Sequence, residues 1–165
     1  MDKMKESASS RTKYASRIML DLGMFASEGK PRTFKEIAQS QKLSPHFVST
    51  IAVQLKRAGL IRSIRGPSGG IVLAKDPKEL RLLDVIESVR GPFAVMPCLT
   101  RPKPSCSEIA TCPVYDMWAE INQRISAVLN DYTLQDVLDK IKAKAAKAKV
   151  AKPAKAKKSP PRRSK

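Results

Sequence analysis

Three cysteines, Cys98, Cys106 and Cys112, are the residues of this 165-residue chain whose type and spacing most plainly carry chemistry. Their C-x7-C-x5-C run lies between Pro92 and Pro113, a stretch holding five prolines that limit the geometries it samples. Three thiolates can hold three corners of an iron-sulfur cluster, or three of the four tetrahedral positions of zinc. Either arrangement needs a fourth ligand. The one histidine is His46, so a Cys3His zinc site would require a long-range return to that position. A cluster accepts a carboxylate, water or small thiol more readily, and Asp2, Glu6, Glu108 and Asp116 are carboxylate candidates. Free or reversibly paired thiols are the third reading of the same residues. Enzyme chemistry has the least support. No nucleophile is paired with a base, the glycine-rich stretch Gly66 to Gly70 lacks the Lys-Ser/Thr ending of a phosphate loop, and no small-molecule substrate is expected.

A second chemistry is written in charge. The chain carries 32 Lys and Arg against 15 Asp and Glu, a formal +17, which points to a polyanion as partner. Twelve of the basic residues lie in 140–165, which has no acidic residue, so residues 1–139 carry 20 against 15, or +5. The body is mildly basic and the tail strongly so. No apolar run approaches the roughly 20 residues that cross a bilayer. The first ten residues lack the apolar stretch of a secretory signal, so no membrane association and a cytoplasmic, nucleoid-associated protein with reduced thiols are expected.

The elements that must position these groups can be read from periodicity and caps. Tyr14, Ala15, Ile18, Leu22, Phe25 and Ala26 repeat at helical spacing after Thr12, which is expected to cap the first helix. Thr33 and Glu36 form a capping-box pattern ahead of Ile37 and Ala38. Ser44 as cap and Pro45 at the first helical position open the next helix. Its expected buried stripe is Phe47, Val48, Ile51, Ala52, Leu55 and Ala58, and Gly59 is expected to close it. Two short helices about a tight turn near Leu43 make a helix-turn-helix, whose second member lies in a major groove. Leu60 to Arg65 and Gly69 to Ala74 read as two strands joined by a glycine-rich turn, a wing.

On the second helix His46, Ser49, Thr50 and Val53 are opposite the buried stripe, near the N-terminal end where side chains reach base edges. Lys56, Arg57, Arg62 and Arg65 are placed for phosphates or a minor groove, although a solvated basic face would use the same residues. Double-stranded DNA is the expected partner.

Leu82, Val85, Ile86 and Val89 mark a further helix ending at Gly91-Pro92. Beyond the cysteine loop, Val114, Trp118, Ile121, Ile125, Val128 and Tyr132 alternate steps of four and three, the seam of a helix that pairs with another, and a homodimer follows. Thr133 and Asp136 are placed to cap a last helix through Leu134, Val137, Leu138 and Ile141. The Lys, Ala and Pro repeats after it have too little apolar surface to offset ordering entropy and are expected to be disordered. In composition they resemble the arms of linker histones, which bind phosphate without sequence preference. The expected organisation is therefore mainly α: a winged helix-turn-helix domain over 1–91, a cysteine loop over 92–113, a long dimerisation helix and terminal helix over 114–141, and a basic tail over 142–165.

The segments Lys13-Tyr14-Ala15, Glu36-Ile37-Ala38, Leu43-Ser44-Pro45 and the run from Leu55 through Arg65 to Gly70, with the spaced cysteines, resemble the Rrf-type, IscR/NsrR-like, winged helix-turn-helix transcriptional regulators. The resemblance covers residues 11–141. It implies a homodimeric repressor or activator with an iron-sulfur cluster, 2Fe-2S or 4Fe-4S, on Cys98, Cys106 and Cys112, reporting iron, nitric oxide or redox state. It also matches Arg65 to a wing arginine that enters the minor groove. The chain departs from the pattern at several points. The first cysteine interval is longer than in IscR-type members, and Tyr115 stands at the place of their histidine ligand. Lys13 stands at the place of the NsrR-type aspartate ligand, and Ser49 and Thr50 replace an acidic residue and a glutamine, which implies a different operator. The lysine-rich tail is outside the family pattern.

Overall fold

Helix α1, Ala8–Phe25, starts ahead of the expected cap at Thr12. The Ala-Ser-Ser-Arg segment contains no glycine or proline to stop it, so the helix propagates backwards. Thr12 is an internal residue whose carbonyl accepts the Ser16 hydroxyl at 3.0 Å. The computed structural model describes residues 8–26, 29–67, 69–100, 102 and 106–150; the candidate ligands Asp2 and Glu6 lie outside them.

Helix α2, Phe34–Gln41, opens on the expected capping box: the Thr33 amide donates to Glu36 Oε2 at 2.8 Å and the Glu36 amide to Thr33 Oγ1 at 3.2 Å. Lys42, in the left-handed conformation at φ 54°, turns the chain into helix α3, Pro45–Arg57. Ser44 caps α3 by accepting the Phe47 amide at 3.2 Å. Its C-terminal end is closed by two bonds, Leu60 N to Leu55 O at 3.0 Å and Gly59 N to Lys56 O at 3.0 Å, with Gly59 at φ 70° supplying the left-handed turn. Ser44→Ala is expected to cost about 1 kcal/mol in a denaturant titration. The same substitution should speed amide exchange in the first turn of α3.

Strands β1, Ile61–Ile64, and β2, Gly70–Leu73, pair antiparallel from Ile61 against Leu73 to Ile64 against Gly70. The wing has a third member that the sequence does not announce. Arg32 and Ile71 exchange both backbone hydrogen bonds, at 3.0 and 2.9 Å, tying the wing to the segment ahead of α2. A Cβ on Gly70 would stand 2.5 Å from the Arg32 carbonyl oxygen, so this close approach requires glycine.

Helix α4, Leu82–Arg90, ends at Gly91 with φ 85°. Short 3-10 turns at Pro97–Leu99 and Ile109–Thr111 punctuate the cysteine loop before helix α5, Tyr115–Asp131. Helix α6, Leu134–Val150, is capped by Thr133 and Asp136, whose carboxylate accepts the Thr133 amide at 2.8 Å. It runs through residues 142–150, where a disordered tail is expected from composition. Alanine and lysine are strong helix formers and extend a helix already nucleated by packing.

The core gathers Ile18, Met19 and Leu22 of α1, Ile37 of α2, Val48, Ile51 and Leu55 of α3, Ile61 and Ile71 of the wing, and Val85 and Val89 of α4. Leu134 and Leu138 of α6 belong to the same core, and a Cβ on Gly23 would lie 2.8 Å from Leu138 Cδ1. The last helix thus packs into the winged helix-turn-helix body, although its place in sequence groups it with α5. Helix α5 buries none of its residues completely.

The two threonine caps respond to acid. Glu36 is held below the ordinary glutamate value first by the Thr33 amide, then by the Thr33 hydroxyl. Asp136 is held below the ordinary aspartate value first by the Thr133 hydroxyl, then by the Thr133 amide. With folded values depressed, their stabilisation is complete above the ordinary carboxylate range and is lost as pH falls through the depressed values. Circular dichroism during acid titration should show fraying that Glu36→Gln and Asp136→Asn variants already display at neutral pH.

Candidate DNA-binding face and cysteine loop

His46, Thr50 and Val53 of α3 are exposed, and Ser49 is half-buried, as expected of a face opposite a core stripe. The Ser49 hydroxyl donates to the His46 carbonyl at 2.8 Å and the Thr50 hydroxyl to the same oxygen at 3.0 Å. Their hydrogens are therefore used within the helix, and they face outward as acceptors, suited to the amino groups of adenine or cytosine. Lys56 and Arg57 end the same helix, Arg62 lies on β1 and Arg65 just after it, and all four are exposed.

Arg62 also borders a cavity of about 210 Å³ between the end of α1 and the wing, whose rim includes Lys30, Arg32 and Lys75. Lys30 and Lys75 were not singled out from the sequence, because each sits alone in a loop. Only the fold sets them beside Arg62. Such a groove suits the phosphate backbone better than base edges.

Behind this face lies a buried ionic group that patterning does not disclose. Asp21 of α1 is 1% exposed. It accepts from Arg32 Nε at 3.1 Å, from Gln41 Nε2 at 3.0 Å and from the Ser40 hydroxyl. Arg32 also stacks over the Phe25 ring at 4.0 Å. The backbone of Arg32 pairs with β2, and Ser40 and Gln41 end α2, so one carboxylate joins α1, the helix-turn-helix and the wing.

The cysteine loop is fastened at its first part. The Phe93 amide donates to Glu87 Oε1 of α4 at 2.8 Å, and the Val95 amide to Asn122 Oδ1 of α5 at 2.9 Å. Cys98 and Cys112 are half-buried, Cys106 is exposed, and all three are free thiols. Cys98 borders a cavity of about 250 Å³ with Leu99, Thr100, Ile109, Tyr115 and Asn122. Among the described residues no three His, Cys, Asp or Glu side chains converge on a point that could hold a metal. The donor set suits iron and sulfide by chemistry, but among the described residues the three thiols do not form such a group. Glu108 and Asp116 are likewise not drawn into a ligand group.

On α5 and its flanks Val114, Met117, Ile125, Val128 and Tyr132 are exposed, while Trp118 and Ile121 are half-buried. Met117 is an addition to the expected seam. Among the described residues no helix is long and apolar enough to cross a membrane.

Residues 8–140 match the family model Rrf2, described as iron-dependent transcriptional regulator. The HTH-type transcriptional regulator CymR of Bacillus subtilis is 33% identical over 129 residues, covering 78% of this chain and 87% of CymR. Its solved structure superposes with a TM-score of 0.63 over 79% of this chain and 94% of that one, at 28% identity. The regulator IscR of Serratia proteamaculans is 31% identical over 130 residues, covering 79% of this chain and 77% of IscR. The structure of T. potens IscR superposes with a TM-score of 0.64 at 28% identity, over 91% of this chain and 96% of that one. With a winged helix-turn-helix body and a family match over residues 8–140, the chain belongs to the Rrf2 family of transcriptional regulators.

Proposed function

We propose that this regulator binds DNA as a homodimer in the cytoplasm and that an iron-sulfur cluster on Cys98, Cys106 and Cys112 modulates its DNA affinity in response to iron, nitric oxide or redox state. The observation that carries the reading is the placement of three free thiols in one loop fastened to both α4 and α5. When bound, a cluster of 2Fe-2S or 4Fe-4S type supplies a cross-link between thiolates that depends on iron and on redox state. The protein's own residues transmit what the loop does. Glu87 holds the Phe93 amide and Asn122 the Val95 amide, so closure of the loop changes the setting of α5 against α4. In the dimer, α5 seams pair through Val114, Trp118, Ile121, Ile125 and Val128. Their setting fixes the separation of two α3 helices that read half-sites about 34–36 Å apart. His46, Ser49 and Thr50 read base edges, Arg65 enters the minor groove, and Lys56, Arg57 and Arg62 hold phosphates.

A cluster-free thiol regulator is the second reading. It is favoured by the lack of a three-donor metal group among the described residues and by the likeness to CymR, whose solved structure is called that of the global cysteine regulator of B. subtilis. Anaerobic reconstitution followed by iron and sulfide assay separates the two. Stoichiometric iron and sulfide in the parent chain, lost in Cys106→Ala with the dimer intact, supports the cluster. A chain that remains free of both would leave only the thiol reading.

A further inference from the structure

The family match ends at residue 140, yet α6 continues to Val150. Every residue from Ile141 to Lys147 is exposed, so the helix leaves the body after Leu138, its last buried residue. Lys140 is partly engaged, its ammonium lying over the Tyr132 ring at 4.1 Å, near Asp136. The next three lysines differ. Among the described residues Lys142, Lys144 and Lys147 form no ion pair.

We propose that the distal half of α6 is a second DNA-binding element, a basic helical arm that engages the phosphate backbone beside the site covered by the winged domain. At 3.6 residues per turn Lys144 and Lys147 share one side of the helix and Lys142 is on the opposite side, so the arm is cationic around its circumference. That distribution argues against an anionic membrane as partner. A helix lying in a lipid surface needs one apolar face, often with Trp, Phe or Leu, and residues 142–150 offer only alanines and Val150 between lysines. It suits a rod of phosphates, which presents one charge per ~1.7 Å of duplex axis and asks only for cations within reach.

The same chain supplies the reason for choosing DNA. A cationic arm joined to a DNA-binding body works at the high local concentration of an intramolecular contact, where even weak phosphate binding is occupied. Lys142, Lys144 and Lys147 are exposed and meet phosphates rather than base edges, so the interaction carries no sequence information and adds equally to operator and unrelated DNA. Its effect is retention on the duplex and faster search along it.

The test compares the full chain with its K142Q/K144Q/K147Q variant on a random-sequence DNA duplex, reading log K against log salt. Glutamine and lysine have nearly equal helix propensity, so α6 is retained, which circular dichroism verifies. Binding should weaken at low salt, and the slope should become shallower by about 0.9 for each lysine that had displaced a counterion. An unchanged slope overturns the arm as a DNA element. Competition with single-stranded RNA and with phosphatidylserine vesicles completes the experiment: a substitution effect larger for either competitor than for the duplex overturns the choice of DNA. Since no arm supports or requires iron, these results stand apart from the cluster assay.

Discussion

Replacing Asp21 with alanine should lower the unfolding free energy by about 3–5 kcal/mol, the cost of leaving a buried cation without its partner. Asp21 is 1% exposed and Arg32 is only 16% exposed in its side chain, so water cannot replace the lost contact cheaply. Three donors lose an acceptor at once: the Arg32 guanidinium, left with the more distant Glu36 carboxylate at 4.0 Å, the Gln41 amide, and the Ser40 hydroxyl, left with the Ile37 carbonyl. Asp21→Asn keeps an acceptor for Ser40 while losing the charge, and should fall between parent and alanine variant. Urea unfolding of the three proteins checks the order. Equal stability of Asp21→Ala and parent would show that the carboxylate does not hold these elements together. Because Arg32 also pairs with Ile71 of the wing, a shortened wing footprint should accompany the loss in whatever Asp21→Asn protein remains folded.

A charge placed in the α5 seam should have the second large effect. Of the nine large hydrophobic side chains exposed among the described residues, five lie between Val114 and Tyr132, so the apolar surface is concentrated where a second copy would cover it. Ile125→Asp puts an unpaired carboxylate into the proposed interface, with Val128 one turn away. The expected product is a folded monomer, since α5 contributes no fully buried residue to the body. Its affinity for a two-half-site duplex should drop by about 100-fold or more, because the second half-site no longer binds intramolecularly. Sedimentation and a DNA titration read the two consequences separately. A variant that stays dimeric would remove α5 as the dimer helix.

The parts of the fold that rest on local chemistry were legible in the residues. The Thr33/Glu36 box, the Ser44-Pro45 start and the Gly59 stop each act within about five residues of themselves, and the structure places all three as the spacing requires. The wing was legible as two strands, but its third backbone partner, Arg32, was not, because a single paired residue leaves no periodicity. Asp21 escaped for a related reason. It falls on the apolar side of α1, between Ile18 and Leu22, and its partners are 11, 19 and 20 residues away. A carboxylate in that register was the available signal. Both ends of the helical framework run further than caps and apolar stripe indicate, α1 beginning before Thr12 and α6 continuing past Ile141, since good helix formers extend a helix beyond its packed turns. For the cysteines, spacing marks three candidate donors but not whether they converge, which depends on a loop conformation that proline content alone does not specify.

If the state of the cysteine loop changes the grip on DNA, loading iron and sulfide must change affinity, and a single titration reads that change. The dimer, loaded anaerobically with iron and sulfide, and the same preparation stripped of both are titrated at fixed salt against one duplex selected by the protein from a random pool. A coupling of about 1–3 kcal/mol, or roughly 5- to 150-fold in affinity, is expected between the two states and should vanish in Cys106→Ala. Equal affinity of loaded and stripped protein, with the cluster demonstrably present in the former, would contradict it.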